Sequence, residues 1–378
     1  MMFSLSGKQI IVLSPENWGQ LLISKHNYAI ALGRGGNKVH FLTLTDTLRS
    51  GEISAFDSGF ENLTIVRFKP NIPLSLKFRA RPLYNFLMKF FMRRMLKKLS
   101  VKPDIVWDFN CSYEYPDLSV FGAAHTIYQP VDFIKPDART KKADIMVTIS
   151  EKILQQYQRT DTPKLLVSHG ISGEYAKLAA QPPVTEQPQR VKAGYIGNLT
   201  IDSLDRQLLK RLVAENPEVE FHIIGPLDKK NNNLGIDIKD TEMEELAQFL
   251  KTAANVVLYG SRPSAEVSQM ISGFDVLLIC YKTTSTFQGD NSHKMLEYMA
   301  SGKLILTTYL SAYDGNELVV MSPAGKNEEL PRLFKAAVGN LAHYNSADLQ
   351  NRRKQVALEN TYDKQILKIE DFFRSHVK

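Results

Sequence analysis

Short apolar runs alternate with amphipathic stretches along the N-terminal half of the chain. Runs at residues 9–14 and 38–44 predict strands, and residues 24–32 between them predict a helix that ends in a glycine-rich turn. The same order returns later, with strands predicted at residues 104–109, 145–149 and 164–168 and a helix at residues 151–157. Because strands that alternate with helices build a doubly wound parallel sheet, the first half of the chain predicts an α/β domain.

A polar segment with three prolines, residues 179–190, interrupts this pattern and predicts a linker. Strands are predicted again at residues 192–196, 220–224, 256–259, 275–279 and 304–307, with helices at residues 205–215, 243–253 and 264–272. The pattern therefore predicts two Rossmann-like domains, residues 1–178 and 191–347. Residues 348–378 are charged and helical in pattern, and we expect them to return to the N-terminal domain.

Length and composition agree with two globular cores. A chain of 378 residues exceeds the usual size of one core, and its apolar runs are much shorter than the roughly 20 residues that a membrane span requires. The start of the chain has one cation, Lys8, before a short apolar run, and it predicts a strand instead of a signal peptide. The two cysteines, Cys111 and Cys280, lie far apart, which indicates a reducing compartment. We therefore expect a cytoplasmic protein.

The positive charge is concentrated in one segment. The net charge is +7, yet residues 63–102 contain eleven Lys and Arg and no Asp or Glu, so the rest of the chain carries −4. A local basic segment predicts a local anionic partner such as a membrane surface, a lipid-linked phosphate or a nucleic acid.

Residues 79–100, within this segment, predict an amphipathic helix that permits two interpretations. One stripe consists of Tyr84, Leu87, Phe91, Met95 and Leu99, and the cations on the remaining surface are Lys89, Arg93, Arg94 and Lys97. In the first interpretation the stripe packs on the sheet and the cations are solvated. Phe86 and Phe90 project among the cations, however, which favours the second interpretation, a helix that lies on an anionic membrane.

One stretch suggests a phosphate-binding helix, with Asn291 at its start, Lys294 and Glu297 three residues apart and Gly302 at its end. A helix N-terminus attracts a diphosphate, and residues three apart share one face, so a lysine could reach the phosphates while a carboxylate accepts ribose hydroxyls. Glycine suits the left-handed residue that ends a helix. The alternative is an ordinary surface helix with a Lys–Glu pair.

This stretch resembles the donor-site motif of GT-B glycosyltransferases, in particular family-four-like enzymes and the bacterial transferases of teichuronic-acid, capsule and polysaccharide biosynthesis. Three further segments are similar to the family, and they contain Gly197-Asn198, Gly225 and Gly260. The resemblance implies two Rossmann-like domains that face a central cleft, and a nucleotide-sugar site formed by Gly197, Asn198, Gly225, Gly260, Asn291, Lys294 and Glu297. Two positions depart from the family pattern: Gly289 replaces the first of two paired glutamates, and Asn198 replaces an arginine.

In the N-terminal half the resemblance places Trp18, Gly19 and His26 beside the acceptor, and it places Asp132 where it could orient the acceptor or the transferred sugar. His125 is a second catalytic candidate because histidine titrates near neutral pH. The alternatives are a turn-forming aspartate after Pro130 and a hydrogen-bonded strand histidine.

The resemblance implies transfer of a sugar from a UDP, GDP or dTDP donor to a glycan acceptor, with a lipid-linked acceptor favoured by the basic segment. We expect a retaining enzyme of cell-envelope polysaccharide biosynthesis, peripheral on the inner face of the membrane. The chain lacks an Asp-X-Asp triplet and metal-ligand spacings, so we expect no metal and no cofactor. The alternatives are a sugar-nucleotide epimerase of the same fold and a non-catalytic protein that binds anionic lipid or nucleic acid; the net charge of −4 elsewhere disfavours nucleic acid.

Overall fold

The computed structural model describes residues 4–19, 22–73, 75–111, 114–115, 117–131, 142–157, 160–227, 241–283 and 292–377. The chain divides into two compact units. Unit 1 comprises Met1–Gly170 with Tyr362–Lys378, and unit 2 comprises Ile171–Thr361. Within the described ranges, no helix combines the length and the apolar character needed to cross a bilayer.

Unit 1 is built on an eight-stranded sheet in the order β3-β4-β2-β1-β5-β6-β7-β8. Its strands are β1 (Gln9–Ser14), β2 (Lys38–Leu44), β3 (Ile53–Asp57), β4 (Leu63–Phe68), β5 (Ile105–Asp108), β6 (His125–Tyr128), β7 (Ile145–Thr148) and β8 (Lys164–Leu166). Neighbouring strands are parallel except β3, which pairs antiparallel with β4. Apolar residues occupy both faces of this sheet: along β1, Ile10 and Val12 join one core cluster, and Ile11 and Leu13 join the other.

Helices cover both faces of the unit 1 sheet. They are α1 (Ser24–Arg34), α2 (Leu76–Arg79), α3 (Arg81–Lys98), α4 (Glu151–Gln156) and the C-terminal α13 (Tyr362–His376). The first core cluster contains Tyr28 of α1 and Phe373 of α13, and the second contains Tyr84 and Met88 of α3.

Unit 2 has a six-stranded sheet in the order β11-β10-β9-β12-β13-β14, with all neighbouring strands parallel. Its strands are β9 (Lys192–Ile196), β10 (Glu220–Ile224), β11 (Val256–Gly260), β12 (Val276–Ile279), β13 (Leu304–Thr307) and β14 (Val320–Met321). Its helices are α5 (Gly173–Ala179), α6 (Arg206–Glu215), α7 (Thr241–Thr252), α8 (Ser264–Met270), α9 (His293–Ser301), α10 (Leu330–Gly339), α11 (Leu341–Tyr344) and α12 (Ala347–Leu358). Each face of the sheet again carries its own apolar core cluster.

The C-terminal segment is divided between the two units. Helix α12 stays in unit 2, where the buried Arg353 donates hydrogen bonds to the carbonyl oxygens of Gly302 at 2.9 Å and Leu318 at 2.8 Å. The part of residues 348–378 that precedes Tyr362 therefore does not return to unit 1, because these bonds hold it. Helix α13 does return, and the ring of Tyr362 packs so closely on Gly170 that an added methyl group would lie 2.6 Å from it. The predicted packing of a C-terminal helix on the N-terminal domain is confirmed.

Candidate functional site

The strand order of unit 2 defines where a ligand can bind. From β9 the sheet continues in one direction through β10 and β11 and in the other through β12 to β14. In doubly wound sheets, ligands bind outside the carboxyl ends of the strands at the point where the order reverses. That point lies between β9 and β12, so the residues that follow these two strands are the first candidates.

Three of the predicted glycines lie side by side at this edge of the sheet. The Gly197 N–H donates to the carbonyl of Ile224 at 2.8 Å, and the Gly225 N–H donates to the carbonyl of Gly260 at 2.9 Å. Gly225 has a φ of +147°, and a methyl group there would lie 1.9 Å from the Gly197 carbonyl oxygen. Only glycine fits this position, and its presence lets the ends of β9 and β10 approach closely.

The Lys294 side chain reaches the end of β9. It belongs to the first turn of α9, and its Nζ lies 2.2 Å from where a methyl group on Gly197 would be. The same nitrogen lies 5.5 Å from the ring centre of Tyr195 and 5.7 Å from that of Tyr281. The structure therefore brings Gly197 and Lys294 together, with the cation held over two aromatic rings.

Two tyrosines complete the surroundings of Lys294, and the sequence analysis did not identify them. Tyr195 is 1% exposed, and its Oη lies 3.2 Å from the methyl position on Gly197. That hydroxyl has no hydrogen-bond partner among the described residues. The Tyr281 hydroxyl lies 3.3 Å from Oγ of Ser292, the residue before α9. A buried hydroxyl without a partner is costly in a folded protein, so Tyr195 marks a place where a polar ligand group fits.

Glu297 lies three residues after Lys294 and is half-buried. Burial raises the pKa of its carboxyl group to about 7, and the Lys294 charge opposes this shift. In the described part of the chain this carboxylate has no hydrogen bond and no ion pair. Near neutral pH the Glu297 carboxyl group exchanges between its neutral and charged forms. Hydrogen bonds donated by a ligand would favour the charged form.

Helix α9 is fixed firmly enough to position Lys294 and Glu297. The buried hydroxyl of Tyr298 accepts a hydrogen bond from the Ile196 N–H at 3.2 Å and lies 3.4 Å from the Leu278 carbonyl oxygen, which joins α9 to β9 and β12. Gly302 ends the helix with a φ of +76°, so the left-handed cap predicted there is confirmed.

Of the two remaining donor-side candidates, Asn198 and Asn291, the structure describes Asn198. The side-chain oxygen of Asn198 accepts hydrogen bonds from the Thr200 N–H at 2.9 Å and the Thr200 hydroxyl at 2.8 Å, so Asn198 shapes the turn after β9. Asn291 lies outside the described residues.

In unit 1 the predicted acceptor-side residues follow β1. The Trp18 ring packs edge-on against His26, with ring centres 5.1 Å apart, and Gly19 is exposed. His26 is 1% exposed, and burial lowers its pKa to about 4. The Ile23 N–H donates to its Nδ1 at 3.1 Å, so His26 is a neutral residue that holds the start of α1.

An ion pair between a buried lysine and a partly exposed glutamate at the end of β1 was not identified from the sequence. Lys25 of α1 is 1% exposed and pairs with Glu16, which follows β1. Glu16 and Lys25 are nine residues apart, and only the fold brings them together, so no sequence spacing signals the pair.

Neither catalytic candidate of the sequence analysis gains support. Asp132 lies outside the described residues. His125 is the first residue of β6 and aligns with Ile105, the first residue of β5, so it lies at the amino ends of these strands. Its Nδ1 is 3.8 Å from an Asp144 oxygen, and its ring packs edge-on against Phe373. This position is opposite to the carboxyl edge at which ligands bind in such sheets, and it argues against a catalytic role.

Within the described residues, no group of three or more His, Cys, Asp and Glu side chains is placed to hold a metal ion. Metal-independent chemistry stays a prediction.

No protein-family model and no curated protein matches the chain. Solved structures do share its architecture. A structure described as trehalose-6-phosphate from E. coli, bound with UDP-2-fluoro glucose, is 12% identical with a TM-score of 0.66, over 98% of this chain and 99% of that one. A glycosyltransferase from Rickettsia africae is 13% identical with a TM-score of 0.67, over the same shares. Anabaena HepE, in complex with UDP and glucose, is 14% identical with a TM-score of 0.62, over 96% of this chain and 99% of that one. At sequence identities this low, the structural similarity establishes the fold alone. It confirms the predicted GT-B fold.

Proposed function

We propose that this protein is a glycosyltransferase that takes a sugar from a nucleotide-sugar donor bound in unit 2. The observation that carries this proposal is the placement of the Lys294 amino group against Gly197 at the reversal point of the unit 2 sheet, with Glu297 one turn further along α9. The fold adds support, because it is shared with proteins whose structures contain UDP or a UDP-sugar. We therefore favour a UDP-sugar among the UDP, GDP and dTDP donors that the sequence leaves open.

Each group of the site has a role in this proposal. The Lys294 cation and the positive end of the α9 dipole bind the diphosphate, the ionised Glu297 accepts the two ribose hydroxyls, and the Tyr195 hydroxyl donates to a phosphate oxygen. Gly197, Gly225 and Gly260 allow the diphosphate to approach the backbone. Lys294, Glu297 and the Tyr195 hydroxyl, which have no hydrogen-bond partner among the described residues, would all gain one in the complex.

The chemistry follows from the charge that develops on the leaving group. When the bond between the anomeric carbon and the diphosphate oxygen breaks, negative charge grows on the distal phosphate, and Lys294 stabilises that charge more strongly than it stabilises the intact donor. The acceptor oxygen bonds to the anomeric carbon on the same face from which the diphosphate leaves, and its proton passes to the leaving phosphate. This route retains configuration and requires no carboxylate nucleophile and no metal.

We propose that unit 1 binds the acceptor, with Trp18 and the exposed Gly19 beside it and Asp132 as a candidate for orienting it. The buried His26 supports the loop of Trp18 and Gly19 by holding the start of α1. A lipid-linked glycan of cell-envelope polysaccharide biosynthesis, used at the cytoplasmic face of the membrane, is the acceptor that the basic segment favours. The donor proposal does not depend on this choice.

The test is thermal stabilisation of the purified protein by UDP, GDP, dTDP, ADP and CMP, followed by product analysis with the matching nucleotide sugars. A ligand at about 100 times its Kd should add about 2.7 kcal/mol to the free energy of unfolding. We expect UDP to stabilise the wild type and the Glu245→Ala control, whose altered side chain is exposed on α7, and to leave Glu297→Ala unchanged. Absence of stabilisation by every nucleotide would refute the donor site. Conversion of a UDP-sugar without an acceptor would indicate an epimerase.

The contribution of Lys294 to catalysis can be tested separately. We expect Lys294→Met to lower kcat by about a hundredfold to a thousandfold, the usual effect of removing one group that stabilises transition-state charge. Activity that is insensitive to EDTA in the wild type would agree with metal-independent transfer, and loss of activity on chelation would contradict it.

A further inference from the structure

Three phenylalanines of α2 and α3 project into solvent. Phe78, Phe86 and Phe90 are 66%, 69% and 67% exposed, and no other large apolar side chain among the described residues is as exposed. Leu83, which is 49% exposed, lies three residues before Phe86, and Phe90 lies four residues after it, so these side chains share one face of α3. An apolar cluster of this kind marks an interaction surface more often than an isolated exposed residue does.

The orientation of α3 is fixed by its opposite face. That face is buried in the core of unit 1, and its residues are Tyr84, Met88, Phe91, Met92, Met95 and Leu96. Leu87 and Leu99, which were predicted to belong to the buried stripe, are only half-buried. Because the core holds the opposite face, Phe86 and Phe90 cannot turn inward.

Cations surround the exposed rings. Arg79, Arg93, Arg94 and Lys97 are exposed, and Lys89 is half-buried. No Asp or Glu occurs in residues 63–102. The acidic neighbour of α2 is Glu114, whose carboxylate lies 3.9 Å from Lys77, a cation outside this set. The surface thus combines aromatic rings with a row of cations.

We propose that this surface, named here the α3 face and formed by Phe78, Leu83, Phe86, Phe90, Arg79, Arg93, Arg94 and Lys97, binds an anionic lipid bilayer. The rings enter the interfacial region of the bilayer, and the cations lie at the level of the lipid phosphates. A bilayer accepts projecting rings without a matching pocket. The bases of a nucleic-acid duplex are already stacked on one another, so its polyanionic surface offers no apolar layer for these rings. The proposal depends on α2 and α3 alone and is independent of the donor site.

The test is co-sedimentation of the purified full-length protein with vesicles of phosphatidylcholine alone or mixed with phosphatidylglycerol. We expect binding to the anionic vesicles at 50 mM NaCl and weaker binding at 500 mM, because salt screens surface charge. Removing one cation should weaken binding about fivefold, so Arg93→Glu with Lys97→Glu should weaken it far more than tenfold. Phe86→Ser with Phe90→Ser should weaken binding on the order of tenfold at either salt concentration.

Matched controls come from α13, where Leu367 is 58% exposed and Lys364 and Lys368 are also exposed. Leu367→Ser and the Lys364→Glu, Lys368→Glu pair should bind vesicles like the wild type. All variants should keep their melting temperature and their stabilisation by UDP, which separates a failure of this proposal from a failure of the donor site. Equal binding to neutral and anionic vesicles, or unchanged binding by both α3 pairs, would overturn the proposal. Binding of duplex DNA without vesicle binding would assign the surface to nucleic acid instead.

Discussion

Replacing Glu297 by glutamine should stabilise the free protein while removing donor binding. Burial raises the pKa of this carboxyl group from 4.5 to about 7, so the folded protein binds the proton more tightly than the unfolded chain does. The contribution of the group to stability is therefore fully present below pH 4.5 and is lost as the pH rises through 7. Glutamine stays neutral at every pH and avoids this loss.

The pKa shift sets the size of the effect. A shift of about 2.5 pH units corresponds to at most about 3 kcal/mol at pH 8, and we expect about 1 to 3 kcal/mol because the side chain is only half-buried. For a unit of this size each kcal/mol raises the melting temperature by roughly 2 to 4 °C. Glu297→Gln should therefore melt several degrees above the wild type at pH 8 and close to it at pH 5.

Donor binding should have the opposite dependence on pH. The ionised carboxylate accepts the ribose hydroxyls, and with a pKa of about 7 it is about nine-tenths ionised at pH 8 and about one-tenth at pH 6. The Kd for UDP-glucose should thus be about tenfold weaker at pH 6. UDP-glucose is preferred to UDP because the terminal phosphate of UDP itself titrates near pH 6.

The assay combines thermal melts from pH 5 to 8 with calorimetric titration of UDP-glucose at pH 6 and pH 8. Glu245→Gln, an exposed carboxyl of the same unit, is the matched control and should change neither measurement. If Glu297→Gln is less stable than the wild type at pH 8, burial does not destabilise the charged form of Glu297, and this reasoning is refuted. A wild-type Kd that is the same at both pH values would refute its contact with the ligand.

Three further predictions address residues around the donor site and His26 in unit 1. Tyr195→Phe should leave the melting temperature equal or higher, because a buried hydroxyl without a described partner is removed, and should weaken binding of UDP-glucose in the same titration. Gly197→Ala should impair UDP binding with little loss of stability, since the flexible end of Lys294 can move, whereas Gly225→Ala should lower the melting temperature because its methyl group meets backbone at 1.9 Å. Between pH 6.5 and 4 the wild type should lose up to about 1.4 kcal/mol per pH unit, because unfolded His26 binds a proton that the folded residue, with a pKa of about 4, does not; His26→Gln should show a flatter stability profile.

Periodicity predicted most of the fold. Five strands have the predicted bounds, at residues 9–14, 38–44, 192–196, 220–224 and 304–307. Four strands were not predicted: the interior strands β4 and β6 and the edge strands β3 and β14. Strand β3 is half-buried or exposed along its length, and β14 has only two residues. Residues 348–378 were predicted to return together to the N-terminal domain, but only α13 does so, because the chain passes from unit 2 to unit 1 between α12 and α13. Such a change of unit depends on tertiary packing and leaves little trace in local periodicity.

A residue of the candidate site could be predicted only where both its type and its position in a strand or helix indicate phosphate binding. Gly197, Lys294 and Glu297 met that condition, because a glycine after a strand and a Lys-X-X-Glu sequence at a helix start each imply a phosphate site. Tyr195 did not meet it: within β9 it reads as an ordinary apolar strand residue, and its core face is indeed buried.

What makes Tyr195 part of the site is the reversal of strand order between β9 and β12, which places the end of β9 beneath the first turn of α9. The hydroxyl then lies beside the Lys294 amino group in a space that a methyl group on Gly197 would fill. The Lys294 amino group and the buried Tyr195 hydroxyl lie beside Gly197, and the half-buried Glu297 carboxylate follows one turn further along α9. None of the three has a hydrogen-bond partner among the described residues. Folding alone gives no reason to bring three such groups together, because each loses hydration without gaining a bond. A bound diphosphate and ribose would satisfy all three, and for this reason the arrangement is better explained by a ligand than by stability.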